Sequence, residues 1–198
     1  CMDVLEQIGF VSRYGEQMLQ QILHLASSRQ FSPLSCGAGR YFDALSALIG
    51  VCGVNTYEGE AAIALESLLP VNACYDPGNC YPYSVDESSP MVVDFGPLVR
   101  NAVDDLRHGV SNALISLRFH NAIVDVVRSM AHRLSRRMAT RTIALSGGVF
   151  QNAYLLSQVE TVLGADDFCV LTNRVLPQND ACVSLGQIMV LANTIMKL

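Results

Sequence analysis

The sequence predicts one helix-rich α/β domain over residues 1–198, and three observations carry that expectation. Of the 198 residues 51% are hydrophobic and 16% charged, enough for one substantial core and too apolar for a disordered or fibrous chain. Two short β-prone runs, 142–145 and 168–172, alternate with segments of helical periodicity. After the first of them stand two adjacent glycines, Gly147 and Gly148, followed by a new helical pattern, so that strand, glycine turn and helix come in succession.

The elements follow in chain order. From Asp3 to Ser28, apolar residues such as Val4, Ile8, Val11, Met18, Ile22 and Leu25 recur at mostly three- and four-residue intervals, as one helix face requires, with Gly15 as a possible break. Ser32 to Gly39 is a turn-forming loop, and RYFDALSALIG (40–50) reads as a helix closed by Gly50. A short helix is expected over about 58–69. Residues 70–90 hold four Pro, two Cys and three Tyr without sustained periodicity, which predicts an irregular and mobile surface excursion. MVVDF (91–95) reads as a strand and 97–108 as a helix stopped by Gly109. Ser111 offers an N-cap to a long helix whose buried face should carry Leu114, Leu117, Val124, Val127, Ala131 and Leu134. A last helix is expected from Ser184 to Met196.

Charge narrows the function classes. A net charge of −5 and a pI near 5.2 argue against a dedicated nucleic-acid or anionic-membrane surface, which need a basic field. Arg128, Arg133, Arg136, Arg137 and Arg141 form a basic stretch that reads as a solvated helix end in preference to a phosphate or acidic-partner site. No apolar run approaches the roughly eighteen residues of a membrane helix, and CMDVLEQIGF has acidic residues where a secretion signal is basic, so a cytoplasmic location is expected. A mean hydropathy of +0.30 has two readings, a helix-rich core or a surface that another domain covers. The seven Cys are odd in number and lack C-x-x-C spacing; Cys74 and Cys80 are the pair to check for a bridge or a metal.

Chemistry concentrates in ALSGGVFQN (144–152). Paired glycines after a strand let the main chain come close to a ligand, and their amides with the next helix N-terminus can face an anion or nucleoside. Neither a dinucleotide fingerprint nor a P-loop is present, so spacing alone leaves this turn open to a purely structural reading.

With RYFDA (40–44), NTYEGEAA (55–62), VVDF (92–95), RFHNAIVDVV (118–127), PQND (177–180) and SLGQ (184–187) beside it, the chain resembles the C-terminal part of the HypF carbamoyltransferase family over roughly residues 30–192. The resemblance implies one lobe of the nucleotide-binding fold of actin, heat-shock chaperones and sugar kinases, with a short central sheet. It also implies the family's chemistry: carbamoyl phosphate and ATP form carbamoyl-adenylate, and the carbamoyl group passes to the C-terminal cysteine of HypE on the way to the cyanide ligand of [NiFe]-hydrogenase.

Carried over residue by residue, the resemblance sets Gly147, Gly148 and Val149 against the nucleotide and Asn152 near the ribose or base. Gly39, Arg40 and Asp43 line the nucleoside side, and Glu58 and Gly59 form a second turn. Asp180 is implied as the ligand of a divalent metal (Mg, Zn or Fe), completing a site with two His of a preceding lobe that these residues do not contain. As residues alone, Asn179 or Asp180 reads equally as an N-cap and Glu58 as a carboxylate on a helix dipole. His120 reads as a hydrogen-bonded structural imidazole, and His24, His108 and His132 receive no role.

The chain departs from the family at Cys36 and Gly37, where two Ser are usual, at Ala181 and Cys182, where two Gly are usual, and at Ala153. One lobe alone is expected to hold nucleotide weakly and to turn nothing over, because a phosphate-transfer site needs both walls. The competing readings are a tRNA threonylcarbamoyl-transferase relative and a non-catalytic binding module.

Overall fold

The structure is a computed structural model and describes residues 2–195. The N-terminal helical pattern is real but divided: α1 (Met2–Gln7), α2 (Phe10–Tyr14) and α3 (Glu16–Ala26) replace one long helix. Gly15 breaks it as expected, and Gly9 breaks it as well in a left-handed conformation (φ 76°) that costs glycine little. α4 (Gly39–Leu48) and α5 (Glu60–Glu66) follow, the second shorter than its sequence pattern.

The 70–90 segment holds a one-turn 3₁₀ helix (Pro77–Asn79) and a strand, β1 (Ser84–Asp86), that the sequence did not reveal. β1 pairs antiparallel with β2 (Val92–Asp94), Val85 opposite Val93. Three tyrosines tie the segment down. Tyr75 and Tyr83 donate their hydroxyls to the Asp125 carboxylate at 2.6 and 2.8 Å, and Tyr81 donates to Asp105 at 2.6 Å. Burial first, then these carboxylates, push the Tyr75 and Tyr81 hydroxyls well above their ordinary pKa.

α6 (Gly96–Arg107) leads to α7 (Asn112–Met138), the axis of the molecule, capped by the Ser111 hydroxyl accepting from Leu114 N–H. Its predicted face is only partly the buried one: Val124 and Ala131 are buried, but so are Ile115, Ser116, Phe119, His120, Asn121, Ala122 and Ile123. The middle of α7 is covered on several sides, which one-face periodicity does not anticipate. Phe42 of α4 meets Phe119 edge to face at 4.8 Å, and Leu45, Leu65, Leu98, Leu155 and Val159 complete the packing.

β3 (Thr142–Leu145) lies parallel to β4 (Cys169–Thr172), joined by α8 (Ala153–Ala165) as a crossover. α9 (Val183–Ile195) ends the described chain; Met196, the last residue of the predicted helix, and Cys1 lie outside the described residues. No described helix is long and apolar enough to cross a membrane.

Two expectations change. Cys74 and Cys80 are both free thiols, and burial above all raises Cys80 to about 12. The arginine stretch is largely engaged within the molecule. Arg128 holds Asp166 through two hydrogen bonds (2.6 and 2.7 Å), Arg141 donates to the Asp166 carbonyl, and Arg133 pairs with Glu87. His132, given no role from sequence, joins Asp166 at 2.8 Å. Arg128 and then His132 hold the Asp166 carboxyl well below the usual range.

Candidate functional site

The double-glycine turn is built by β3 and α8. Gly147 has φ 107° and ψ 155°, a conformation in which a side chain is strained, so this glycine is required by the backbone. Gly148 opens a single 3₁₀ turn through Gln151, and Asn152 then caps α8, its Oδ1 accepting from Leu155 N–H at 2.8 Å. The other end of that amide, Nδ2, lies 3.0 Å from His120 Nε2. Asn152 therefore opens the helix as its position predicts, but its side chain is buried and committed inward, where the resemblance placed it near a ribose or base.

The PQND loop lies beside this turn. Gly147 N–H donates to the Gln178 carbonyl at 2.9 Å, and a Cβ on Gly148 would stand 3.9 Å from Asn179 Cβ. One main-chain hydrogen bond thus brings together two segments 31 positions apart. Asp180 begins a one-turn 3₁₀ helix (Asp180–Cys182) that runs into α9. Asn179 does the capping there, its Oδ1 accepting from Ala181 N–H at 3.2 Å, which leaves the exposed Asp180 carboxylate out of the hydrogen bonds and ion pairs found among the described residues.

A hard, exposed carboxylate suits a cation that also meets phosphate oxygens, yet Asp180 is a single ligand. No group of three His, Cys, Asp or Glu side chains able to hold a metal occurs among the described residues. The described residues do not by themselves complete a metal site.

The second group of predicted residues lies on α4 and α5. Gly39 and Arg40 form the first turn of α4, and Arg40 pairs with Asp43 at 2.7 Å. Asp43 Oδ1 also faces Asn55 Nδ2 at 3.4 Å, and Asn55 Oδ1 accepts from Ala61 N–H at 3.0 Å, so one amide ties α4 to the start of α5. Gly59 is left-handed (φ 82°) and Glu58 is exposed. The carboxylate that organises this turn is Glu60, which accepts from Thr56 N–H and Oγ1; these bonds, the backbone one foremost, lower its pKa. Sequence reading passed over Asn55 and Glu60. The T-Y-E-G-E spacing, a Thr four residues ahead of a helix-opening Glu, was the available signal.

One cavity touches the start of α4 and the glycine turn, and of the sequence-predicted site residues only Val149 lines it. This cavity, of about 500 Å³, is lined by Ala38 and Tyr41 on the α4 side, by Val149 and Phe150 of the glycine turn, and by Ile123 and Val127 of α7. Its walls are mainly apolar, which suits a flat organic group and not a phosphate. The polar side of the same turn is the one that meets Gln178 and Asn179.

Comparison with known proteins adds to this geometry. Residues 2–187 match the family described as carbamoyltransferase, Kae1-like domain, second subdomain. The chain is 32% identical over 179 residues to carbamoyltransferase HypF of Synechocystis sp., covering 90% of this chain and 22% of that protein. It is 33% identical over 170 residues to carbamoyltransferase HypF of Rhodobacter capsulatus, covering 85% and 21%. Against the solved structure of full-length HypF in its phosphate- and nucleotide-bound form, the TM-score is 0.87 at 31% identity, over 100% of this chain and 25% of that one. The chain thus spans about a quarter or less of these relatives, and its fold is that of the second subdomain of a Kae1-like domain.

Proposed function

The chain belongs to the carbamoyltransferase HypF family, and from that premise we propose that it forms one wall of a site for ATP and a divalent cation in carbamoyl transfer. The observation that carries this reading is the hydrogen bond from Gly147 N–H to the Gln178 carbonyl, which sets the glycine turn and the Asp180 loop side by side. The amides following Gly147 receive phosphate, with Gly148 and Val149 lying against the nucleotide. Gly39, Arg40 and Asp43 take the nucleoside side, and Glu58 and Gly59 close that end. Asp180 gives one oxygen to the cation, whose charge offsets that of the phosphates; its remaining ligands come from outside these residues. The relative solved with phosphate and nucleotide bound supports the ligand class.

In this reading the whole protein activates carbamoyl phosphate with ATP as carbamoyl-adenylate and hands the carbamoyl group to the terminal cysteine of a HypE-type acceptor. The present residues hold and orient, and the reacting groups need a facing wall, so this chain alone binds without turnover. Calorimetric titration with ATP and Mg²⁺ tests it. Binding by the chain that weakens at least several-fold in Asp180→Ala is the expected result; unchanged binding in that variant removes the cation role, and no binding by the unaltered chain removes the reading.

A further inference from the structure

His120 lies where the ligand-bearing segments meet. It is fully buried in the middle of α7, and its ring packs edge to face against Phe42 of α4 (5.5 Å), Phe119 (5.7 Å) and Tyr154 at the start of α8 (5.7 Å). Its Nδ1 is 2.8 Å from the Ser116 carbonyl oxygen. A carbonyl can only accept, so Nδ1 carries the proton and Nε2 presents a lone pair. Asn152 Oδ1 is already taken by Leu155 N–H, so the amide turns its NH₂ end to that lone pair at 3.0 Å. Each assignment fixes the next, from the Ser116 carbonyl through the imidazole and the amide to the first turn of α8.

α5 is drawn into the same joint. Ser116 Oγ donates to the Leu65 carbonyl at 2.7 Å, and Glu66 accepts from Tyr154 N–H at 3.1 Å. The RYFDA and SGGVFQN segments and the C-terminal end of α5 are therefore all registered on one imidazole and its immediate neighbours.

We propose that His120 is a positioning residue for nucleotide binding: by accepting from Asn152 it sets the double-glycine turn relative to the Asp43-bearing helix. The inference rests on the nucleotide-site reading above and adds to it the residue that keeps the two ligand-bearing segments in register. The chemistry is specific to a neutral ring. A proton on Nε2 would face the Asn152 NH₂, donor against donor, and relieving that contact by turning the amide would strip the cap from Leu155. The surroundings favour the neutral form. The groups around the ring are Phe42, Phe119, Tyr154, Ser116 and Asn152; the carboxylate of this network, Glu66, is engaged with the Tyr154 amide, and burial lowers the His120 pKa to about 4.

The test compares MgATP affinity by calorimetry in the unaltered chain, His120→Leu and His120→Gln. Leu keeps the volume and loses the acceptor, whereas Gln puts an amide oxygen close to the place of Nε2. His120→Leu should bind about tenfold more weakly, the worth of one net hydrogen bond that orients the turn, and His120→Gln should recover most of that loss. Equal binding in His120→Leu and the unaltered chain overturns the proposal, as does a His120→Gln variant no better than His120→Leu when both are folded by circular dichroism. If His120→Leu does not fold, ¹⁵N resonances of the ring in the unaltered chain decide. A shift of the Nε2 signal on adding MgATP supports the proposal, and an unmoved signal overturns it. Failure of the unaltered chain to bind MgATP sinks the nucleotide reading and this inference with it, whereas binding that ignores His120 sinks the inference alone.

Discussion

The middle of α7 and the whole of α9 are both apolar helical segments, and the fold treats them oppositely. Ile115 to Val124 of α7 are buried apart from two partly exposed residues, and this stretch takes Ser116, His120 and Asn121 inside with it. α9 has no buried residue; Val183, Ile188, Met189, Val190, Leu191 and Ile195 are all more than half exposed. Apolarity alone does not bury a helix. α7 has α4, α5, the tyrosine-anchored segment and α8 around it, and each polar group it carries inward has a partner. α9 follows directly from the Asp180 turn. The Asn152 end of the glycine turn is thus tied into the core, whereas the Asp180 loop meets that turn through the Gly147–Gln178 bond.

The largest effect that would break this contrast is in the core. Phe119→Ala removes a fully buried ring from the centre of α7 and should cost roughly 3–5 kcal/mol in urea unfolding. A loss under about 1 kcal/mol would mean that α7 is not the axis of the fold.

Acid comes next. His120 is held at about 4 in the folded chain against an ordinary 6.5, so between those values the unfolded chain binds a proton that the native one refuses. Its contribution is complete above about pH 6.5 and declines as pH falls toward 4, by roughly 3 kcal/mol at most. Asp166, also held low, acts in a separate window beneath the ordinary carboxylate range. Unfolding free energies measured across pH 4 to 7 should therefore slope in the unaltered chain and flatten in His120→Leu. The smallest effect belongs to α9, where Ile188→Ser should change stability by less than about 0.5 kcal/mol because the side chain is 60% exposed.

Local signals were legible in the sequence and distant partners were not. Ser111 as a cap, the strand and glycine turn at 142–148, and α9 to within a residue at its start follow from propensity and spacing. β1 was hidden because a three-residue strand is defined by its partner and not by its own pattern. The same holds for the tyrosines on Asp125 and Asp105 and for His132 on Asp166, contacts that span 24 to 50 positions. At the site, the glycine turn and the acidic loop could each be named from residue types, but the direction of the Asn152 amide could not. It is set by His120, 32 positions away, whose own tautomer is set by a main-chain carbonyl.

In the proposed reading the glycine turn and the Asp180 loop face one phosphate-bound cation. Paramagnetic broadening by Mn²⁺·ATP on the ¹⁵N-labelled chain measures that directly. The amides of Gly147, Gly148 and Asp180 should broaden together at the same metal concentration, and Asp180→Ala should weaken the effect at all three. Broadening confined to one of the two segments, or spread evenly over the surface, would contradict it.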